Sequence, residues 1–97
     1  MTDTNISELR IDTLEAARII KRLSNHWKHK FEITEQHEIT TIPFSEQSRV
    51  FLSPHQDYLL AKIETTENER LEQLEHVVIS HINRMANQEF PAHWIRA

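Results

Sequence analysis

The sequence predicts an α+β fold in the order β-α-β-β-β-β-α, an antiparallel sheet with two helices on one face. Three observations lead there. Apolar residues recur at helical spacing over 13–29 and again from 67 to 86. Between these segments, residues 31–65 change to a period of two, in short runs parted by turn chemistry, which favours an antiparallel meander. Each helical segment has a single apolar face, so the two most simply lie side by side on one face of the sheet. A chain of 97 residues is the size of one domain.

Residues 1–5 read as a frayed polar tail. Ile6 to Ile11 alternates imperfectly and forms the first predicted strand. Asp12, three residues before Glu15, makes a capping arrangement for a helix beginning near Thr13. Ala16, Ile20, Leu23 and Trp27 fall on one stripe of that helix with Ile19 beside them. His26 lies at the edge of the stripe, and His29 farther round, near Arg18 and Arg22.

Phe31 and Ile33 alternate with Glu32 and Thr34, and Thr40 to Phe44 alternates again, with Pro43 suited to an edge position. After the polar turn Ser45 to Ser48 comes the run Arg49 to Leu52. Ser53 to Asp57 is a second turn, and Tyr58 to Thr65 supplies the clearest strand, with Leu59, Ala61 and Ile63 on one face. Thr66-Glu67-Asn68-Glu69 reads as a capping box for the second helix. Leu71, Leu74, Val78, Ile82 and Met85 form its stripe, flanked by Val77 and His81, and Asn87 can end it. The tail from Phe90 to Ile95 is too apolar to be free and is expected to pack back on the domain.

Two absences exclude whole chemistries. With no cysteine there are no thiol nucleophiles, disulfides or thiolate metal sites. With no glycine, phosphate-cradling loops and dinucleotide turns fail, because both need backbone close to a ligand. Left-handed turn positions must fall to Asn, Asp or His, such as Asn87 or Asp57. A net charge of −4 argues against nucleic acid as a partner. Five of the eleven basic residues, Arg18, Lys21, Arg22, Lys28 and Lys30, nevertheless share one segment, while Glu67, Glu69, Glu72 and Glu75 open the other helix. Macrodipole complementarity explains this pattern; an electropositive surface for an acidic ligand is the alternative. No stretch approaches a membrane span and the N-terminus lacks a signal-peptide pattern, so a cytoplasmic location is expected.

Seven histidines make acid–base or metal chemistry the natural place to look. His26 and His29 are three apart and share a helix surface, whereas only His81 of the His76/His81 pair borders the core stripe. If the helices pack together, His26 and His81 meet at the seam with His29, Arg22 or Arg84 at the rim. Three readings compete. The pair is structural, hydrogen-bonded to backbone or carboxylate; or imidazole and guanidinium donors hold an anionic ligand; or His26, His29 and His81 hold a divalent metal. His-x-x-His lacks the His-Glu-x-x-His spacing with its built-in general base. His37, His55, His76 and His93 read as loop or surface residues. Ser24 and Ser80 lie near the histidines without a nucleophile elbow. The carboxylates of the second helix read as a solvated face, and Trp27, Phe31 and Trp94 as core anchors.

The segments His26-Trp27-Lys28-His29-Lys30-Phe31 and Val77-Val78-Ile79-Ser80-His81-Ile82-Asn83-Arg84 carry a resemblance. The chain resembles the bacterial domain of unknown function 2218 family, from about Arg10 to Trp94. Its members have a similar His-Trp-x-His-Lys-Phe segment and a Val-Val-x-Ser-His-hydrophobic-x-Arg segment. The resemblance implies a TATA-binding-protein-like α+β architecture. It also implies an association with flavin-dependent siderophore-interacting proteins, and hence with iron or siderophore handling. The expectation is an accessory domain that binds a small anionic ligand or iron–siderophore complex through His26, His29, Lys30, His81 and Arg84. Cofactor, metal and catalytic residues stay unassigned. A metal- or histidine-dependent enzyme of iron release is one alternative. An interaction module, docking on a reductase or forming a homodimer through the free sheet face, is another.

Overall fold

The computed structural model describes residues 4–96. Strand β1 (Asn5–Asp12) leads into helix α1 (Ala16–Trp27), followed by β2 (Thr34–Gln36), β3 (Ile39–Pro43), β4 (Ser48–Pro54) and β5 (Tyr58–Thr65). A single 3₁₀ turn, Asn68–Arg70, opens onto helix α2 (Leu71–Ala86), and β6 (Ile95–Arg96) is the last element of the described residues. The six strands form one sheet in the order β2-β3-β4-β5-β1-β6, and every pairing is antiparallel. The α+β class and the meander are as read from the sequence, but the order is not, because Ile95 and Arg96 add a sixth strand after the second helix, at the free edge of β1. Among the described residues no helix is long and apolar enough to cross a membrane.

One face of the sheet is sealed. Ser7, Leu9 and Ile11 of β1 share it with Ile42, Val50, Leu52, Leu59, Ala61 and Ile63, all nearly inaccessible to water. Both helices cover this face: α1 packs on β3, β4 and β5, α2 on β5 and β1, and the two on each other. The α1 stripe is Ala16, Ile19, Ile20, Leu23 and Trp27, as its period predicted. A helix of 12 residues is marginal alone. Burial at about 1.5–3 kcal/mol per large apolar side chain outweighs the roughly 1 kcal/mol of an absent cap.

The ends of the elements depart from expectation for local reasons. The predicted Asp12/Glu15 cap is not formed. The Thr13 amide donates to the Asp57 carbonyl and its Oγ1 accepts from the Glu15 amide at 3.0 Å, so the helix starts at Ala16. The predicted capping box is also absent. Thr65 Oγ1, not Thr66, accepts the Glu67 amide at 3.0 Å, and the chain makes a 3₁₀ turn before α2. The first central strand shifts from 31–34 to Thr34–Gln36, because the Phe31 amide still donates to the Trp27 carbonyl. The expected polar tail over 1–5 lies partly outside the described residues, and Asn5 already belongs to β1. Left-handed backbone falls at Asn87, as expected, but also at His37 and Glu38, where β2 turns into β3; Asp57 is not among these positions. The C-terminal segment does pack back: Phe90 and Trp94 are half-buried against the core, and Ile95 and Arg96 pair with β1.

Candidate functional site

The two helices run antiparallel. Arg22 Nη1 donates to the Met85 carbonyl at 2.8 Å, satisfying a free carbonyl at the end of α2. One turn further along α1 and one turn back along α2, His26 faces His81, with ring centroids 5.4 Å apart. Trp27 lies beside both, 4.9 Å from the His81 ring and 6.2 Å from that of His26. The cluster continues edge-to-face through Phe44 to Phe31, at 5.2 and 5.1 Å. Lys30 Nζ sits 5.7 Å from the Phe31 ring and ends this row.

His81 is half-buried and His26 exposed, so the pair opens to solvent from the α1 side. His81 Nδ1 is 2.7 Å from the Val77 carbonyl oxygen. A carbonyl oxygen only accepts, so Nδ1 carries the proton and Nε2 is left as the ring atom for a ligand. Trp27 is buried at 5% exposure, so it backs the two imidazole rings, and the surface offered to solvent is those rings with one directed polar atom on His81.

The other candidate residues do not converge on this pair. His29 lies beyond the end of α1, in the exposed turn after Lys28, and does not share a helical surface with His26. Arg84 follows His81 on α2 but is exposed and borders a separate depression with Ser80, Asn83, Asn87 and Gln88. Arg22 is engaged at the end of α2. Among the described residues no three histidine, aspartate or glutamate side chains come together as a metal site, so His26, His29 and His81 do not form the predicted triad. Ser80 donates to the Val77 carbonyl and is not directed at His81.

Two features escaped the sequence reading. Glu75, taken there for part of a solvated face, is buried at 7% exposure. Its Oε2 accepts from Ser7 Oγ at 2.6 Å, and Arg96 grips both oxygens, at 3.1 and 2.7 Å. The Arg96 hydrogen bonds hold the Glu75 carboxyl below its ordinary range; burial opposes this and the Ser7 bond assists it. The signal was present, because Glu75 falls between Leu71 and Val78 at core spacing, and Ser7 shares the parity of Leu9 and Ile11. The second feature is a cleft of about 420 Å³ between α1 and the β2–β3 hairpin, with Lys21, Ser24, Glu35, Glu38 and Thr40 among its walls.

A family model described as "Uncharacterized protein conserved in bacteria (DUF2218)" matches residues 8–94, a span that includes both His-containing segments. The NMR structure of PA4090 from Pseudomonas aeruginosa is similar at a TM-score of 0.73 and 34% identity, covering 95% of this chain and 94% of that one. No functionally curated protein matches the chain.

Proposed function

The chain belongs to the DUF2218 family of bacterial proteins, and on that premise we propose that it is a non-enzymatic accessory binding domain whose α1–α2 seam takes a small anionic, iron-linked ligand. The observation that carries the reading is the juxtaposition of His26 and His81 at 5.4 Å beside Trp27. A ferric siderophore presents oxygen donors of negative charge around a largely apolar scaffold. The exposed His26 ring donates a hydrogen bond to those oxygens, and His81 Nε2 accepts one from an amide or hydroxyl of the scaffold. The imidazole faces backed by buried Trp27 meet its apolar part, and Lys30 supplies long-range attraction. Arg84 contributes positive charge near the seam without touching the pair, and His29 stands beyond the end of α1. A flavin-dependent siderophore-interacting protein is the partner that fits the family resemblance. The same reading takes the chain as one cytoplasmic domain with a TATA-binding-protein-like arrangement of helices on the sheet.

Titration with a ferric catecholate complex and with ferric citrate, followed by Trp27 fluorescence in a Trp94→Phe background, tests this. A saturable change is expected, with affinity weakened tenfold or more by His81→Ala and by His26→Ala, a loss of about 1.4 kcal/mol. No saturable response up to about 1 mM complex, or wild-type affinity in both histidine variants, overturns it.

A further inference from the structure

We infer that the sheet face opposite the helices is the interface of a homodimer, formed against the same face of a second copy. This goes beyond the seam proposal and uses none of its residues.

The inference begins with register. In the β1–β6 pair, Ser7 lies opposite Arg96 and Glu8 opposite Ile95. Ser7 faces the core, and Arg96 on the same side reaches Glu75. Ile95 therefore faces outward with Glu8, and it is 74% exposed. At the other side of the sheet, Ile39 is 40% exposed. It borders an open groove of about 340 Å³ formed with Phe51, Ser53, Leu60, Lys62 and Glu64. Cross-strand pairing puts Phe51 beside Lys62, and Lys62 beside Glu8. Apolar side chains thus run across the face from Ile39 through Phe51 to Leu60, and Lys62 and Glu8 separate them from a second apolar position, Ile95, at the β6 edge.

Charge chooses the occupant. The outward positions of β1, β4 and β5 carry Arg10, Arg49 and Lys62 against Glu8, Asp12 and Glu64. Basic and acidic groups alternate and cancel, which disfavours a polyanion such as nucleic acid. Arg10 pairs with Asp12 at 3.2 Å and Lys62 with Glu64 at 3.5 Å within the chain, so the face is close to neutral and a second copy meets it without net repulsion. The area is sufficient. At about 4.8 Å between strands and 3.4 Å per residue, the face measures roughly 24 by 20 Å. Two such faces remove on the order of 1,000 Å² from water, the threshold of a specific interface, which marks the dimer as a weak, reversible one. Closure is by two-fold symmetry, because one patch meets its own copy.

Sedimentation equilibrium of the full chain from about 5 µM to about 1 mM reads this directly. The weight-average mass is expected to rise from that of one chain toward two. The double variant Ile39→Lys/Ile95→Lys changes exposed side chains outside the core, and is expected to raise the dissociation constant at least tenfold with unchanged circular dichroism. A wild-type chain that stays monomeric across the range overturns the inference. So does a dimer whose affinity the double variant leaves intact, since its interface then lies elsewhere. Neither result bears on ligand binding at the seam.

Discussion

Glu75 shows how a single ionisable side chain ties three distant parts of the chain together. It joins β1 through Ser7 and β6 through Arg96 while standing on α2. Its folded-state carboxyl titrates below its ordinary value of 4.5. The network's contribution is therefore present above the unfolded value and lost as pH falls through the lower folded one. Urea unfolding of wild type and Glu75→Gln between pH 7 and about pH 3 is expected to show a stability gap that narrows with acid; a pH-independent gap would contradict the assignment. Ser7→Ala removes one donor to a charged acceptor and is expected to cost about 1.5–3 kcal/mol, measured the same way. The spacing of both residues is compatible with core positions, but a carboxylate on a glutamate-rich helix reads as solvated until its partners are known. Their partnership was not legible, because nothing local connects positions 68 residues apart.

Among the elements, the glycine-free chain makes left-handed backbone informative. Asn87 ends α2 at φ 54° and ψ 43°, with the Gln88 amide returning to the Asn83 carbonyl at 3.1 Å. Asparagine tolerates this region, which is why this stop could be read from sequence. Glu38 at φ 66° does not share that tolerance, and it follows His37 at φ 53° in the β2–β3 turn. Glu38→Gly is expected to stabilise by about 0.5–1 kcal/mol, raising the melting temperature by roughly 3–6 °C. Asn87→Gly is expected to do less, and a melting temperature lowered by Glu38→Gly would refute the strain argument. The missed start of β2 has the same local character. Aromatic and aliphatic alternation at Phe31 and Ile33 looks extended, but backbone bonding to Trp27 prolongs the helical turn as far as Phe31, and the Ile33 amide then folds back on the Phe31 carbonyl.

At the scale of the whole molecule, the layer of two helices on one sheet face rests on shared apolar burial. Leu23, fully inaccessible between α1 and the sheet, is its test position. Leu23→Ala is expected to cost about 2–5 kcal/mol in denaturant unfolding, with the upper half expected if the site cannot collapse. Dimerisation through the opposite face carries a separate signature. The melting temperature of the wild type, but not of Ile39→Lys/Ile95→Lys, should rise with protein concentration.

Periodicity in the sequence was enough to determine two amphipathic helices, the β5 strand to its ends, the stop at Asn87 and the α+β class, because each is a repeating local choice of burial. It also nominated His26 and His81, since both border apolar stripes. Only the tertiary structure decided that these rings stand side by side with Trp27, that His29 and Arg84 stand apart from them, and that Glu75 is buried. Those outcomes depend on the antiparallel register of α1 against α2 and on the return of β6 to β1. Contacts between residues far apart in the chain set that register, and no local pattern encodes it.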